Sequence, residues 1–378
     1  MAGRIDANSS EGFEKELMSS CTPGEDVCLN ADGLEYISSA GLRVLLKLKK
    51  SIQAEVRVIN ASNDVYDIFE VTGFSEILTV EKKLRELTVD ENNVIGEGAN
   101  GKVYRLDDET IIKVFAPGVP MNVVKEERDI ARAAFVSGVP TAISYDIARV
   151  GESYGAVYEM LNAKTLSAVI NENKDRAVEM GCRLGKLLKE LHRTLANKEK
   201  LTDMLEVYKD RAHKMEKYLS DTELDKLISV YNALDSRSTM LHGDFHPKNV
   251  MYMDDELIFI DMGDVGYGHP LLDIGGSYLP MMHIGKFKPD LVFKYIGMDF
   301  DTATRVWDSM LLEYFGEEHL EEGKILAEIY GEAKYMLMPF IYTKMTDEIA
   351  VNLIARTRQN GFLSDSFDIT PVLTSNFL

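Results

Sequence analysis

Two short runs carry the residues best suited to chemistry: Leu241-His242-Gly243-Asp244-Phe245-His246-Pro247-Lys248-Asn249-Val250 and Leu257-Ile258-Phe259-Ile260-Asp261-Met262-Gly263-Asp264. Asp244 and Asn249 lie five residues apart in a loop between apolar stretches, and Asp261 ends the next stretch twelve residues on. Hard oxygen donors of this kind suit magnesium and a nucleotide. One carboxylate orients an acceptor hydroxyl, while an amide oxygen and a second carboxylate hold Mg²⁺ against the triphosphate.

Further upstream, Gly96-Glu97-Gly98-Ala99-Asn100-Gly101-Lys102-Val103 matches G-x-G-x-x-G-x-V. The spacing alone fits a dinucleotide fold or an ordinary turn equally well. Lys102–Leu106 reads as a strand rather than a helix, which predicts a hairpin flap over phosphates. Lys113, inside Ile111-Ile112-Lys113-Val114-Phe115, is a cation on a strand with buried neighbours and needs an anionic partner. Nucleotide phosphates and a carboxylate from the next helix would supply it, with Glu127 preferred and Glu126 the alternative.

These groups must be carried by a two-lobed α+β unit. Val89–Ile95 and Gly101–Leu106 read as a hairpin, Thr110–Phe115 as a third strand, Val123–Phe135 as a helix, and Ile143–Val150 with Tyr154–Met160 as a strand pair. Beyond Asn162 the periodicity is helical over 175–196, 202–219, 222–234 and 318–340. Residues 1–88 have a different texture, with strands at Val27–Leu29, Glu55–Asn60 and Ile77–Val80. Helices are expected from Ser38/Ser39, over Asn63–Thr72 and over Glu81–Leu87, an alternation that means an α/β sandwich. The expected division is 1–88, then an N-lobe at 89–161 and a C-lobe at 162–378 that holds the catalytic loop and the acceptor pocket. The join at Val89–Asn92 is too short for a flexible tether.

With 378 residues, 45% of them hydrophobic, the chain can bury cores for two or three domains. No apolar run approaches the roughly 18 residues of a membrane span, and the first segment lacks a signal-peptide core, so a cytoplasmic protein without membrane partners is expected. Cys21, Cys28 and Cys182 have no metal or redox spacing. A net charge of −20 repels phosphate backbones, which argues against nucleic acid as a partner. The acidic run Glu313, Glu317, Glu318, Glu321 and Glu322 suits either an amine-bearing acceptor or a solvated helix face. Trp307, Tyr335, Met336, Met338, Phe340 and Tyr342 read as core.

Residues 89 to about 360 resemble the aminoglycoside phosphotransferase and choline kinase branch of the protein-kinase-like superfamily, on the glycine loop, strand lysine, H-G-D-x-x-x-x-N and I-D-x-G taken in order. The resemblance implies Asp244 as catalytic base, Asn249 and Asp261 as Mg²⁺ ligands, and Lys113 on the α/β-phosphates of ATP, held by Glu127. It also implies Gly96, Gly98 and Gly101 over the phosphates, and the backbone of Glu159, Met160 and Leu161 at adenine. His242 would be structural. So would Asp273, in a D-P-x-x-D-like segment with His269 in place of the first Asp. His246 and Lys248 would either reach the γ-phosphate or stay solvated. Only six residues separate Gly263 from Pro270, too few for the segment on which protein kinases dock peptides, so a small-molecule hydroxyl is the expected acceptor.

The first 88 residues resemble the anti-sigma-factor-antagonist domain of the STAS family, on Arg4–Asn8, the run Leu34–Leu46 and Val71-Thr72-Gly73-Phe74. This resemblance implies a regulatory unit with a protein partner and a phosphorylation switch at Ser39. An alternative role follows for the whole chain, in which the kinase-like part phosphorylates Ser39 or a protein partner, or senses nucleotide.

Overall fold

The computed structural model describes residues 1–98, 101–341 and 345–375, so Ala99 and Asn100 of the glycine motif and Tyr342 of the aromatic cluster lie outside the described residues. The chain forms two compact units, Met1–Thr88 with Ala148–Gly151, and Val89–Ile147 with Glu152–Leu378.

In the first unit Val27–Asn30, Val56–Ala61 and Thr79–Lys82 run parallel, with Val56–Ala61 central, and Ala2–Ile5 pairs in parallel with Gly33–Ile37. Helix Ser39–Ile52 buries Leu42, Leu45, Leu48 and Ile52, a 3-4 spacing that turns one stripe to the core. Glycine is required at Gly41, where a Cβ would sit 2.6 Å from Ile5 Cγ2. The helix expected over Glu81–Leu87 is absent: Thr79–Lys82 and Arg85–Glu86 are strands. Seven residues make a marginal helix, whereas the strand gains ladder bonds and an Arg57–Glu81 ion pair at 2.7 Å. Helix Ser10–Ser20 was not anticipated.

The second unit opens with antiparallel neighbours Val94–Gly98, Gly101–Arg105, Thr110–Phe115 and Ser153–Glu159, joined by helix Met121–Val136. The rest is mainly helical around one large core, in which Trp307 and Met336 are buried, with two small three-stranded sheets. Helix Phe300–Phe315, also unanticipated, packs along Ala177–Leu191. The contact is close because a Cβ at Gly181 would meet Ser309 Oγ at 2.0 Å and one at Gly185 would meet Met310 O at 2.5 Å. Among the described residues no helix is long and apolar enough to cross a membrane.

Candidate active site

Strand Thr239–Leu241 delivers the chain to a turn at His242 and Gly243. Gly243 has φ +85°, and a Cβ there would lie 2.2 Å from Asp264 O, so only glycine lets the loop settle on the segment after Asp261. The buried Asp273 carboxylate accepts both the His242 N–H at 2.6 Å and the Gly243 N–H at 2.7 Å. Ser277 Oγ donates to Phe245 O at 2.6 Å. One helix, Leu271–Tyr278, thus anchors the loop at three points, through Asp273 in its first turn and Ser277 in its last. His242 packs between Phe245 and Phe259, fully buried, and accepts the Asp244 N–H through Nδ1 at 3.4 Å.

Asn249 Nδ2 donates to Asp244 O at 2.9 Å and to Asp244 Oδ2 at 3.1 Å. The hairpin Val250–Met253 with Glu256–Phe259 then returns the chain, and Ile260 N–H donates to Asn249 O at 2.9 Å. Asp261 follows in the left-handed region, φ +58°, turned out of the strand. Its Oδ1 accepts from Lys113 Nζ at 2.8 Å, and the same ammonium donates to Glu127 Oε1 at 2.7 Å. Glu127 shares the inward stripe of its helix with Val124 and Ala131, whereas Glu126 is exposed. Gly263 packs on this carboxylate, since a Cβ there would lie 2.6 Å from Glu127 Cγ.

Of the three flap glycines, Gly101 is sterically obligatory, because a Cβ would lie 2.0 Å from Val114 O. Gly98 meets nothing within 4 Å among the described residues. Glu159 N–H donates to Ile143 O at 2.9 Å while its carboxylate accepts the Ile143 N–H at 3.2 Å, and Met160 N–H is committed to Glu109 O at 2.7 Å. Met160 and Leu161 border a cleft of about 690 Å³ that Lys164, Arg176 and Tyr252 also line.

Three contributors gave no local signal in the sequence. His192 bonds Asp273 Oδ2 at 3.2 Å and Tyr314 OH at 2.7 Å. Lys334 Nζ donates to Gly243 O at 3.1 Å, and Asp264 backs the loop through its carbonyl. The acidic run is elsewhere. Glu321 and Glu322 open helix Leu320–Met336, roughly 20 Å along its axis from Lys334 at the rise of an α-helix. There they complement the helix dipole.

A family model of the phosphotransferase enzyme family matches residues 92–307. The chain belongs to that family. A STAS-domain model matches residues 1–87, so the phosphotransferase carries a STAS domain in front of it. Over 84 residues, 21% of this chain and 72% of the relative, it is 36% identical to the candidate anti-sigma factor antagonist BtrV of Bordetella bronchiseptica. Among solved structures, a choline/ethanolamine kinase family protein from Mesorhizobium loti aligns at 17% identity and TM-score 0.49, covering 74% of this chain and 90% of that one. The streptomycin–ATP–APH(2'')-IIa ternary complex aligns at 12% identity and TM-score 0.46, covering 78% and 96%.

The electrostatics of the phosphotransferase unit separate its carboxylates. Desolvation acts upward on Asp244 but is outweighed by the hydrogen bond and charge of His246, 3.6 Å away, and by the charge of Lys334, so the pKa is lowered. Asp264 is pushed up by desolvation and by the like charges of Asp244 and Asp261. Burial works against the Lys113 ammonium, yet Asp261 and Glu127 together raise its pKa. Burial lowers His242, which is therefore neutral at pH 7 and unsuited to donate a proton.

Magnesium fits the donor set. Asn249 spends its amide nitrogen on Asp244, so its Oδ1 carbonyl is the atom that would ligate a metal, and Asp261 engages Lys113 through one oxygen of two. Among the described residues no three His, Cys, Asp or Glu side chains converge as a metal cage. Magnesium takes one or two protein oxygens and completes its octahedron with phosphates and water.

In the STAS domain the two serines divide their roles. Ser38 Oγ caps the helix by accepting from Gly41 N–H at 3.4 Å. Ser39, the first helical residue, is exposed.

Proposed function

We propose that this protein transfers the γ-phosphate of ATP, with Mg²⁺, to a hydroxyl of a small molecule in the cytoplasm, and that residues 1–88 regulate it as a unit ahead of the N-lobe (89–161) and C-lobe (162–378). The observation that carries the reading is the run of contacts from Asp244 to Asn249, from Asn249 to Ile260 next to Asp261, and from Asp261 to Lys113. Asp244 accepts the hydrogen bond of the acceptor hydroxyl and aims its oxygen at the γ-phosphorus. The new O–P bond forms as the bond to the ADP oxygen breaks, and the hydroxyl proton passes to the carboxylate. A carboxylate of lowered pKa is a weak base, which fits a loose transition state in which the proton leaves late. Asn249 and Asp261 would hold Mg²⁺, which neutralises charge on the phosphate oxygens. Lys113 supplies a fixed positive charge on the N-lobe side, and the flap glycines let backbone N–H groups approach the phosphates. In the full chain, Asp244→Ala should abolish ADP release in a screen of hydroxyl-bearing metabolites and aminoglycosides while leaving nucleotide binding intact. Undiminished release would reject the assignment.

A second reading is favoured by one observation, the exposed Ser39 at the start of a helix. A phosphate there would be stabilised by the unpaired N–H groups of the first turn. The chain would then act in partner switching, with the kinase-like unit modifying Ser39 or a protein partner. Mass spectrometry after incubation with Mg·ATP discriminates: phosphate on Ser39 supports this role, and its absence removes self-modification.

A further inference from the structure

Building on the phosphotransferase reading, we propose that Lys334 is a positioning residue for phosphoryl transfer. From the last turn of helix Leu320–Met336 its ammonium fixes the Gly243 carbonyl and, through it, the Asp244 carboxylate.

The site is built by three glycines. A Cβ at Gly275 would lie 2.7 Å from Tyr330 Cβ, and one at Gly331 would lie 2.3 Å from the Tyr278 ring, so helices Leu271–Tyr278 and Leu320–Met336 approach as only glycine allows. A Cβ at Gly276 would lie 2.7 Å from Lys334 Nζ. The ammonium therefore occupies the space that a side chain at 276 would fill. From there it reaches Gly243 O at 3.1 Å and lies 5.8 Å from the Tyr208 ring centroid.

This placement counters a local repulsion. Asp244, Asp264 and Asp273 surround one loop, and the Lys334 charge acts on all three. Without a cation, like charges on Asp244 and Asp264 would push the loop away from the segment carrying Asp264. An apolar side chain could fill the same volume at no desolvation penalty, so packing alone does not call for lysine here. Among the described residues Lys334 bonds the Gly243 carbonyl and neither Asn249 nor Asp261, which would hold the metal. Its effect should therefore fall on the transfer step rather than on nucleotide affinity.

The test uses the full chain with Lys334→Met, Lys334→Arg and Gly276→Ala, measuring ADP release from Mg·ATP with water as acceptor. Mg·ATP affinity is read by displacement of a fluorescent ATP analogue. A misplaced catalytic group loses about 10²-fold in rate, so Lys334→Met should lower kcat by about that factor with Kd for Mg·ATP within about threefold. Lys334→Arg should recover to within about tenfold of wild type, and Gly276→Ala, which crowds the ammonium, should lower kcat at unchanged Kd. The proposal is overturned if Lys334→Met keeps kcat within about threefold, if arginine rescues no better than methionine, or if kcat and affinity fall together. Should the wild-type chain release no ADP with water or with any acceptor of the hydroxyl screen, the phosphotransferase reading fails first. The anchoring is then judged by amide hydrogen exchange: faster exchange confined to 243–245 in Lys334→Met upholds it, and unchanged exchange overturns it.

Discussion

Lys113 and Asp261 stand 148 residues apart in sequence, and Nζ lies 2.8 Å from Oδ1. With Glu127 on its other side, the ammonium separates two carboxylates that would otherwise repel each other. Lys113→Met removes the cation from both. Catalytic efficiency for Mg·ATP should fall by at least about 10²-fold, measured by coupled ADP release, and a value within a few-fold of wild type would contradict the role.

Asp273 should matter through the loop it holds. It accepts two backbone N–H groups and meets His192, and although burial works against the charge, the His192 hydrogen bond keeps its pKa low. Asp273→Ala should destabilise the phosphotransferase unit by about 3 kcal/mol and reduce turnover. Chemical denaturation monitored through Trp307, the single tryptophan and a core residue of that unit, reads the first effect.

The flap glycines should separate under substitution. Gly101→Ala drives a methyl group into Val114 O and should lower stability by about 2 kcal/mol. Gly98→Ala meets open space among the described residues and should leave the melting temperature unchanged. Equal melting shifts for the two variants would refute the steric account.

Stability should decline as pH falls from 6.5 to 4.5, because two buried histidines cannot take up the protons that the unfolded chain binds. Burial lowers His242, and burial with the nearby Arg237 pushes His269 down to about 3. A histidine with a depressed folded pKa leaves the unfolded state with more protons below pH 6.5, so stability rises with pH across this window. His269 alone accounts for about 2 kcal/mol of it. Stabilised carboxylates such as Glu223, held at about 2 chiefly by Arg358, begin to act only below about pH 4.5. Denaturation at a series of pH values should show a shallower slope in His269→Gln, and an unchanged slope would contradict this assignment.

The architecture was largely legible because its signals are local. The glycine spacing, the strand around Lys113, and the Asp244, Asn249 and Asp261 intervals each fall within one supersecondary unit, and the alternation in 1–88 marks an α/β unit. What escaped depends on distant packing. Helix Phe300–Phe315 buries Thr302 and Ser309, the latter against Gly181 of another helix, which blurs its apolar stripe. Glu81–Leu87 has helical composition but is captured by the sheet edge through Arg57. Lys334 reads as one more surface lysine until Gly276 is seen beside it.

Asn249 and Asp261 should form one magnesium–nucleotide site with Lys113. Calorimetric titration of ATP with and without Mg²⁺, in wild type and in Asp261→Ala, tests it most directly. Magnesium should tighten wild-type binding by at least about tenfold, and Asp261→Ala should erase that gain. Equal magnesium dependence in the two proteins would contradict the account.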